Sequence, residues 1–124
     1  MSGSQSVVLL VDDEDDARDM LATALEEAEY KVLRAANGRE ALAMLDAVDG
    51  DCDLILLDLM MPVMNGWDFR RLQKGHPRYG NIPVLLMSAG ARLAAAGGDL
   101  DAQGYVTKPV ELGDLLEKMK QHAC

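Results

Sequence analysis

The sequence predicts an α/β fold, five βα units wound around one five-stranded parallel sheet, and three observations predict it. Short, continuous apolar runs recur along the chain, as expected of strands covered on both faces. Between them lie segments whose apolar residues repeat at helical spacing. The connections are short, and no linker, internal repeat or low-complexity tract breaks the alternation. At 124 residues the chain fits one domain of common size. Units of this kind imply right-handed crossovers with helices on both faces of the sheet, a doubly wound arrangement.

Val7-Val8-Leu9-Leu10-Val11 is the first strand. Ala17, Met20, Leu21, Ala24, Leu25 and Ala28 follow as one stripe, spaced for the inward face of a helix. Lys31 to Ala35 reads as a second, short strand. Asn37 opens the next helix as an N-cap, with Glu40 three residues on, and Ala41, Met44, Leu45 and Val48 face inward. Leu54-Ile55-Leu56-Leu57 is the third strand and the most apolar. Asn65 is placed to cap a helix carrying Phe69 and Leu72. Ile82 to Met87 is the fourth strand, with Pro83 near its start, where a missing N–H is tolerated. Ala91 to Ala96 favours a helix of about two turns, ended by Gly97-Gly98. Gly104 to Thr107 is the fifth strand, and Leu112, Leu115, Leu116 and Met119 mark the final helix. Residues 1–5 are expected to be a flexible N-terminal segment and residues 6–122 the domain.

Composition excludes several classes. The formal net charge of −9, from 21 acidic and 12 basic residues, argues against direct nucleic-acid binding and against an anionic membrane surface. No apolar stretch approaches the roughly 18 residues that span a bilayer, so no membrane insertion is expected. The N-terminus does not read as a secretory signal, which leaves a cytoplasmic location as the expectation. Cys52 and Cys124 form no C-x-x-C motif, and no functional disulfide is expected.

Ligands of an open parallel sheet bind at the carboxyl ends of its strands. There stand Asp12 and Asp13 after the first strand, Asp58 after the third, Ser88 after the fourth and Lys108 after the fifth. Any one of these is explained as a polar residue where a strand meets the surface, and Asp12 and Asp13 also suit the start of the next helix. Together they ask for more. Three close carboxylates repel one another and call for a hard divalent cation, magnesium first, with manganese as a substitute. Lys108 adds a point positive charge and Ser88 a small donor, a set suited to a phosphoryl group rather than a carbonyl or a hydride.

From Val7 to about Gln121 the chain resembles the receiver domains of bacterial two-component response regulators. The residues that carry the resemblance are Val11-Asp12-Asp13-Glu14, the run from Asp58 through Met60, Met61, Pro62 and Met64 to Asn65-Gly66, Ile82-Pro83-Val84 with Ser88-Ala89, and Tyr105-Val106-Thr107-Lys108-Pro109. The resemblance implies the flavodoxin-like strand order 2-1-3-4-5. It implies that Asp58 is the phosphoacceptor. Magnesium would be held by Asp13, Asp58 and the Met60 backbone carbonyl, with Asp12 acting through a water. Lys108 would contact the acceptor carboxylate and then the phosphoryl oxygens. Ser88 would hydrogen-bond the phosphoryl group, and Tyr105 would change rotamer as Ser88 moves. Pro109 would follow a cis peptide bond that aims Lys108.

The partners so implied are a sensor histidine kinase or a histidine phosphotransfer protein as donor, and a downstream protein whose binding is switched. Such a module is a signalling receiver that acts only on its own phosphorylation and dephosphorylation. Met60 and Gly90 occupy positions that modulate dephosphorylation in the family. Gly97-Gly98 and Gly104 depart from the family pattern on the face that usually binds partners.

Three other readings compete. A degenerate receiver would lack one of the chemical residues, and all are present. A haloacid-dehalogenase-type phosphatase needs a second acid two residues after its nucleophile, where this chain has Met60. A flavodoxin-like cofactor protein needs a first loop that cradles phosphate, whereas Asp12 to Asp16 repel one. The remaining features read as structural: Met60, Met61 and Met64 as loop packing, Trp67 as cover for the third helix, and Glu26, Glu27 and Glu29 as a solvated helix end. Arg70, Arg71 and Lys74 read as a solvated basic patch, and His76 and His122 have no assigned role. No output domain follows in the sequence, which fits either a stand-alone regulator or a domain of a longer protein.

Overall fold

A computed structural model describes residues 6–58, 66–88, 104–108 and 110–122, except for the side chains of 66, 67 and 122. The described elements are β1 (Val7–Val11), α1 (Asp15–Glu27), β2 (Lys31–Ala35), α2 (Gly38–Ala47), β3 (Leu54–Asp58), α3 (Gly66–Lys74), β4 (Val84–Ser88), β5 (Gly104–Thr107) and α4 (Leu112–His122). All strand pairs are parallel, in the order β2-β1-β3-β4-β5. The doubly wound sheet and its strand order are as expected from the sequence.

Successive side chains of a strand point to opposite faces, so each apolar run feeds two cores. Leu9, Val11, Ile55, Leu57, Val84 and Leu86 pack with Ala41 and Leu45 of α2 and Phe69 of α3. Val8, Leu10, Leu54, Leu56, Leu85 and Met87 pack with Ala22 and Leu25 of α1 and Leu115 and Met119 of α4. β3 and β4 are buried at every position, which explains why their sequences carry no polar alternation. The edge strand β2 instead exposes Lys31 and Arg34, charges that discourage pairing with another chain. Asn37 caps α2 by accepting from the Glu40 N–H at 2.9 Å, while the Glu40 carboxylate accepts from the Ala36 N–H at 2.9 Å.

Four expectations need correction. Met20 is 75% exposed, and Ala22 and Leu25 carry the contact of α1 with the sheet. The inward stripe is therefore narrower than apolar periodicity suggested. Leu72 is 52% exposed, and the fully buried partner of Phe69 on α3 is Gln73, one turn on. Its amide donates to the Tyr79 carbonyl at 2.6 Å and the Ile82 carbonyl at 3.4 Å, which satisfies a polar group inside the core. Arg70 is buried as well and donates to the Gln73 side-chain oxygen, so it does not belong to a solvated basic patch. β4 begins at Val84, with Ile82 buried in the turn before it. The proposed cap Asn65, the helix from Ala91 to Ala96, Gly97-Gly98 and Cys124 lie outside the described residues.

Cys52 is buried, with its thiol donating to the Leu54 carbonyl at 3.3 Å. Burial pushes the thiol pKa up to about 11, against the lowering effect of backbone hydrogen bonds at Leu54 and Leu9. A neutral, enclosed thiol is a poor nucleophile. Iodoacetamide is expected to modify Cys52 only as fast as the protein unfolds, read by peptide-resolved mass spectrometry with and without urea. Native-state modification at the rate of a free thiol would overturn this.

Candidate functional site

The parallel register assembles the site. Val11 stands opposite Leu57, so the next residues, Asp12 and Asp58, follow side by side at the carboxyl edge of the sheet. Asp58 stands opposite Met87, and Ser88 opposite Thr107. The Lys108 N–H then donates to the Ser88 carbonyl at 3.0 Å, extending the ladder by one residue and bringing Lys108 over the sheet end.

Asp12 and Asp58 are 3% and 4% exposed, whereas Asp13 is exposed. One carboxylate oxygen from each of the three lies within 4.8 Å of the others. Lys108 Nζ donates to Asp12 Oδ2 and Asp58 Oδ2, both at 3.2 Å. Burial alone would lower the pKa of this amine. The Asp58 and Asp12 charges and hydrogen bonds outweigh burial and hold it above the ordinary lysine value. Lys108 is thus a fixed cation. The stability it contributes is present below the ordinary lysine pKa and is lost only as pH rises through the higher native value, so it is constant across the neutral range.

The charge balance is uneven. Three carboxylates against one ammonium leave a formal charge of about −2 at the strand ends, a deficit that one divalent cation cancels. All the donors are hard oxygens, the donor set that magnesium takes. The Met60 carbonyl, assigned as a further ligand, lies outside the described residues, as do Pro109 and Gly90.

Asp12 is held at four points. Its N–H donates to the Ala35 carbonyl at 3.1 Å, and its Oδ1 accepts from the Glu14 N–H at 3.0 Å. Its Oδ2 takes Lys108, and its backbone carbonyl accepts from Arg18 at 2.9 Å. Sequence reasoning missed Arg18. Its acceptor is a main-chain oxygen, so no side-chain pairing pattern announces it.

Ser88 is buried at the end of β4, close to the acids through its strand neighbour Lys108. Tyr105 lies one turn of the pleat earlier on β5, opposite Leu86, and is 40% exposed. The structure thus gathers Asp12, Asp13, Asp58 and Lys108 into one cluster, with Ser88 on the adjoining strand end, and leaves Tyr105 outside the cluster. Beside the cluster runs a groove of about 490 Å³ lined by Ala17, Met20, Leu21 and Ala24 of α1 with Val110 and Leu112. It opens onto Asp12 and Lys108. Among the described residues, no helix is long and apolar enough to cross a membrane.

Comparison with known proteins agrees with this geometry. Residues 8–120 match the family model described as the response regulator receiver domain. A probable transcriptional regulatory protein of Picosynechococcus sp. is 39% identical over 121 residues, covering 91% of this chain and 47% of that protein. The phosphate regulon transcriptional regulatory protein PhoB of Pseudomonas aeruginosa is 36% identical over 115 residues, covering 91% of this chain and 49% of its own. The chain spans about half the length of these curated relatives. The solved chemotaxis protein CheY4 of Vibrio cholerae superposes with a TM-score of 0.86 at 31% identity, covering 96% of this chain and 99% of that one. A doubly wound sheet, an acid cluster at its carboxyl edge and a match over nearly the whole length converge on one assignment: the chain belongs to the response regulator receiver domains, a family whose general function is to accept a phosphoryl group in two-component signalling.

Proposed function

We propose that Asp58 accepts the phosphoryl group, with magnesium, from a histidine kinase or a histidine phosphotransfer protein, and that phosphorylation switches the binding of a downstream protein. The observation that carries this reading is Lys108 Nζ, 3.2 Å from both Asp58 and Asp12 at the edge of the carboxylate cluster. A cation so held sits where the oxygens of a phosphoryl group on Asp58 would lie. Asp13 and Asp58 would hold magnesium through their carboxylates, joined by the Met60 carbonyl, with Asp12 acting through a water. Manganese would substitute. Bound there, the ion supplies the charge that the three acids and the phosphoryl oxygens lack.

An Asp58 carboxylate oxygen forms the new bond to phosphorus as the bond from phosphorus to the donor imidazole nitrogen breaks. Lys108 neutralises the phosphoryl oxygens throughout. The transition state of this transfer is loose, so position and charge matter more than acid–base chemistry. The apolar groove beside the acids suits a helix of the donor protein, and it accounts for the exposure of Met20. The reading carries a cytoplasmic setting, where nucleotide-dependent kinases make phosphohistidine. It also makes the chain a signalling module that works only on its own phosphorylation state. Treatment with acetyl phosphate and magnesium, followed by peptide mass spectrometry, should find one phosphoryl group, on Asp58. An unmodified protein, or a label elsewhere, would refute the assignment.

Ser88 and Tyr105 would transmit the signal. A phosphoryl group on Asp58 would draw the Ser88 hydroxyl toward it and free space for Tyr105 to leave its exposed position. One charge-assisted hydrogen bond contributes about 1.5–3 kcal/mol, enough to move a nearly balanced equilibrium. Ser88→Ala should therefore leave Asp58 labelling largely intact while reducing the beryllofluoride-induced amide NMR shifts at Tyr105 and along α4. Equal shifts in both proteins would remove Ser88 from the coupling.

A further inference from the structure

We infer that Arg18 is a positioning residue for the metal-binding turn, one that tightens magnesium binding although it adds a positive charge beside the site. The inference rests on the magnesium reading above. The Arg18 side chain is only 14% exposed, and its guanidinium is shared between two kinds of acceptor. One nitrogen donates to the Asp12 carbonyl at 2.9 Å, and the other pairs with Asp15 at 2.8 Å, with Asp19 at 3.9 Å from Nε. A rigid guanidinium fork reaches a backbone oxygen and a carboxylate from two nitrogens at fixed spacing, whereas an ammonium offers its donors from one point on a flexible stem.

What this grip fixes is the peptide that joins Asp12 to Asp13. Asp12 is also pinned through its side chain, by Glu14 and Lys108. Among the described residues, no hydrogen bond holds the Asp13 carboxylate. The backbone on which it stands sets the direction in which its side chain leaves the Cα, and Arg18 holds the carbonyl of that same peptide plane. Without the bond the peptide gains freedom to rotate, and the exposed acid must be ordered anew when the cation binds.

Electrostatics and positioning predict opposite signs, which makes the test decisive. Arg18→Met keeps the aliphatic stem and removes a positive charge near a cation site, so charge alone would make magnesium bind more tightly. A positioning role makes it bind more weakly. Partners that orient metal ligands typically contribute roughly 10- to 100-fold in affinity. Magnesium titrations of the parent, Arg18→Met and Arg18→Lys, read by calorimetry and by the Asp13 amide NMR signal, should show a Kd about tenfold higher for Arg18→Met. Arg18→Lys should fall between the two, because it keeps a positive donor group but loses the two-nitrogen fork. Thermal unfolding in chelator serves as the folding control. If Arg18→Met does not fold, Arg18→Lys must by itself bind at least about threefold more weakly than the parent. A smaller rise, no change or tighter binding in the folded variant overturns the inference. A parent protein that binds no magnesium would instead sink the metal reading on which it rests.

Discussion

Asp58→Asn is expected to reduce phosphoryl incorporation from acetyl phosphate by on the order of a thousandfold or more, because it removes the nucleophile itself. Asparagine is nearly isosteric, so the buried end of β3 keeps its shape and the loss is not one of folding. It also keeps an oxygen that can accept from Lys108, which stands 3.2 Å from Asp58 Oδ2. What disappears is the anionic oxygen able to form a bond to phosphorus. The neighbouring acids are poor replacements. Both oxygens of Asp12 are engaged, one by the Glu14 N–H and the other by Lys108. Asp13 stands exposed at the outer side of the cluster, away from the burial that Asp58 and Asp12 share. The rate should be followed by intact-protein mass spectrometry at saturating magnesium, beside a melting curve of the variant. Incorporation within about tenfold of the parent, at any residue, would mean that Asp58 is not the acceptor.

The sheet was legible because its inner strands are nearly pure apolar sequence, as in Leu54 to Leu57, and because its covering helices repeat at a different period. The site was legible for a related reason: Asp12, Asp58, Ser88 and Lys108 each stand at or just beyond the end of a strand, and parallel register brings such positions to one edge. What the sequence hid depends on long-range partners. Gln73 is a polar residue that the carbonyls of Tyr79 and Ile82 satisfy inside the core, partners that no local pattern announces. Arg70 followed it inward. Met20 looked inward because it shares the apolar stripe of α1, but α1 meets the sheet along a narrower line through Ala22 and Leu25. Met20 and Leu112 are left at the lip of the groove beside the acids. Arg18 was silent because its acceptor is a backbone oxygen.

Magnesium is expected to stabilise the fold by about 2.7 kcal/mol at about 100 times its Kd, since an ion bound only by the native protein shifts the equilibrium by mass action. For a domain of this size that corresponds to roughly 10 °C in Tm. The source of the effect is the repulsion among Asp12, Asp13 and Asp58, which Lys108 offsets only in part. Asp13→Asn separates the ion from the rest of the fold. Its side chain is exposed, and among the described residues it makes no hydrogen bond, so the substitution breaks nothing in the metal-free protein. It removes one of the three like charges, and the variant should melt in chelator at or above the temperature of the parent. In magnesium it should lose most of the gain, because a direct ligand has gone. The two proteins should therefore exchange order: the variant at least as stable without the ion, the parent clearly more stable with it. A pair of parallel curves, each rising equally with magnesium, would show that the ion binds somewhere other than this cluster.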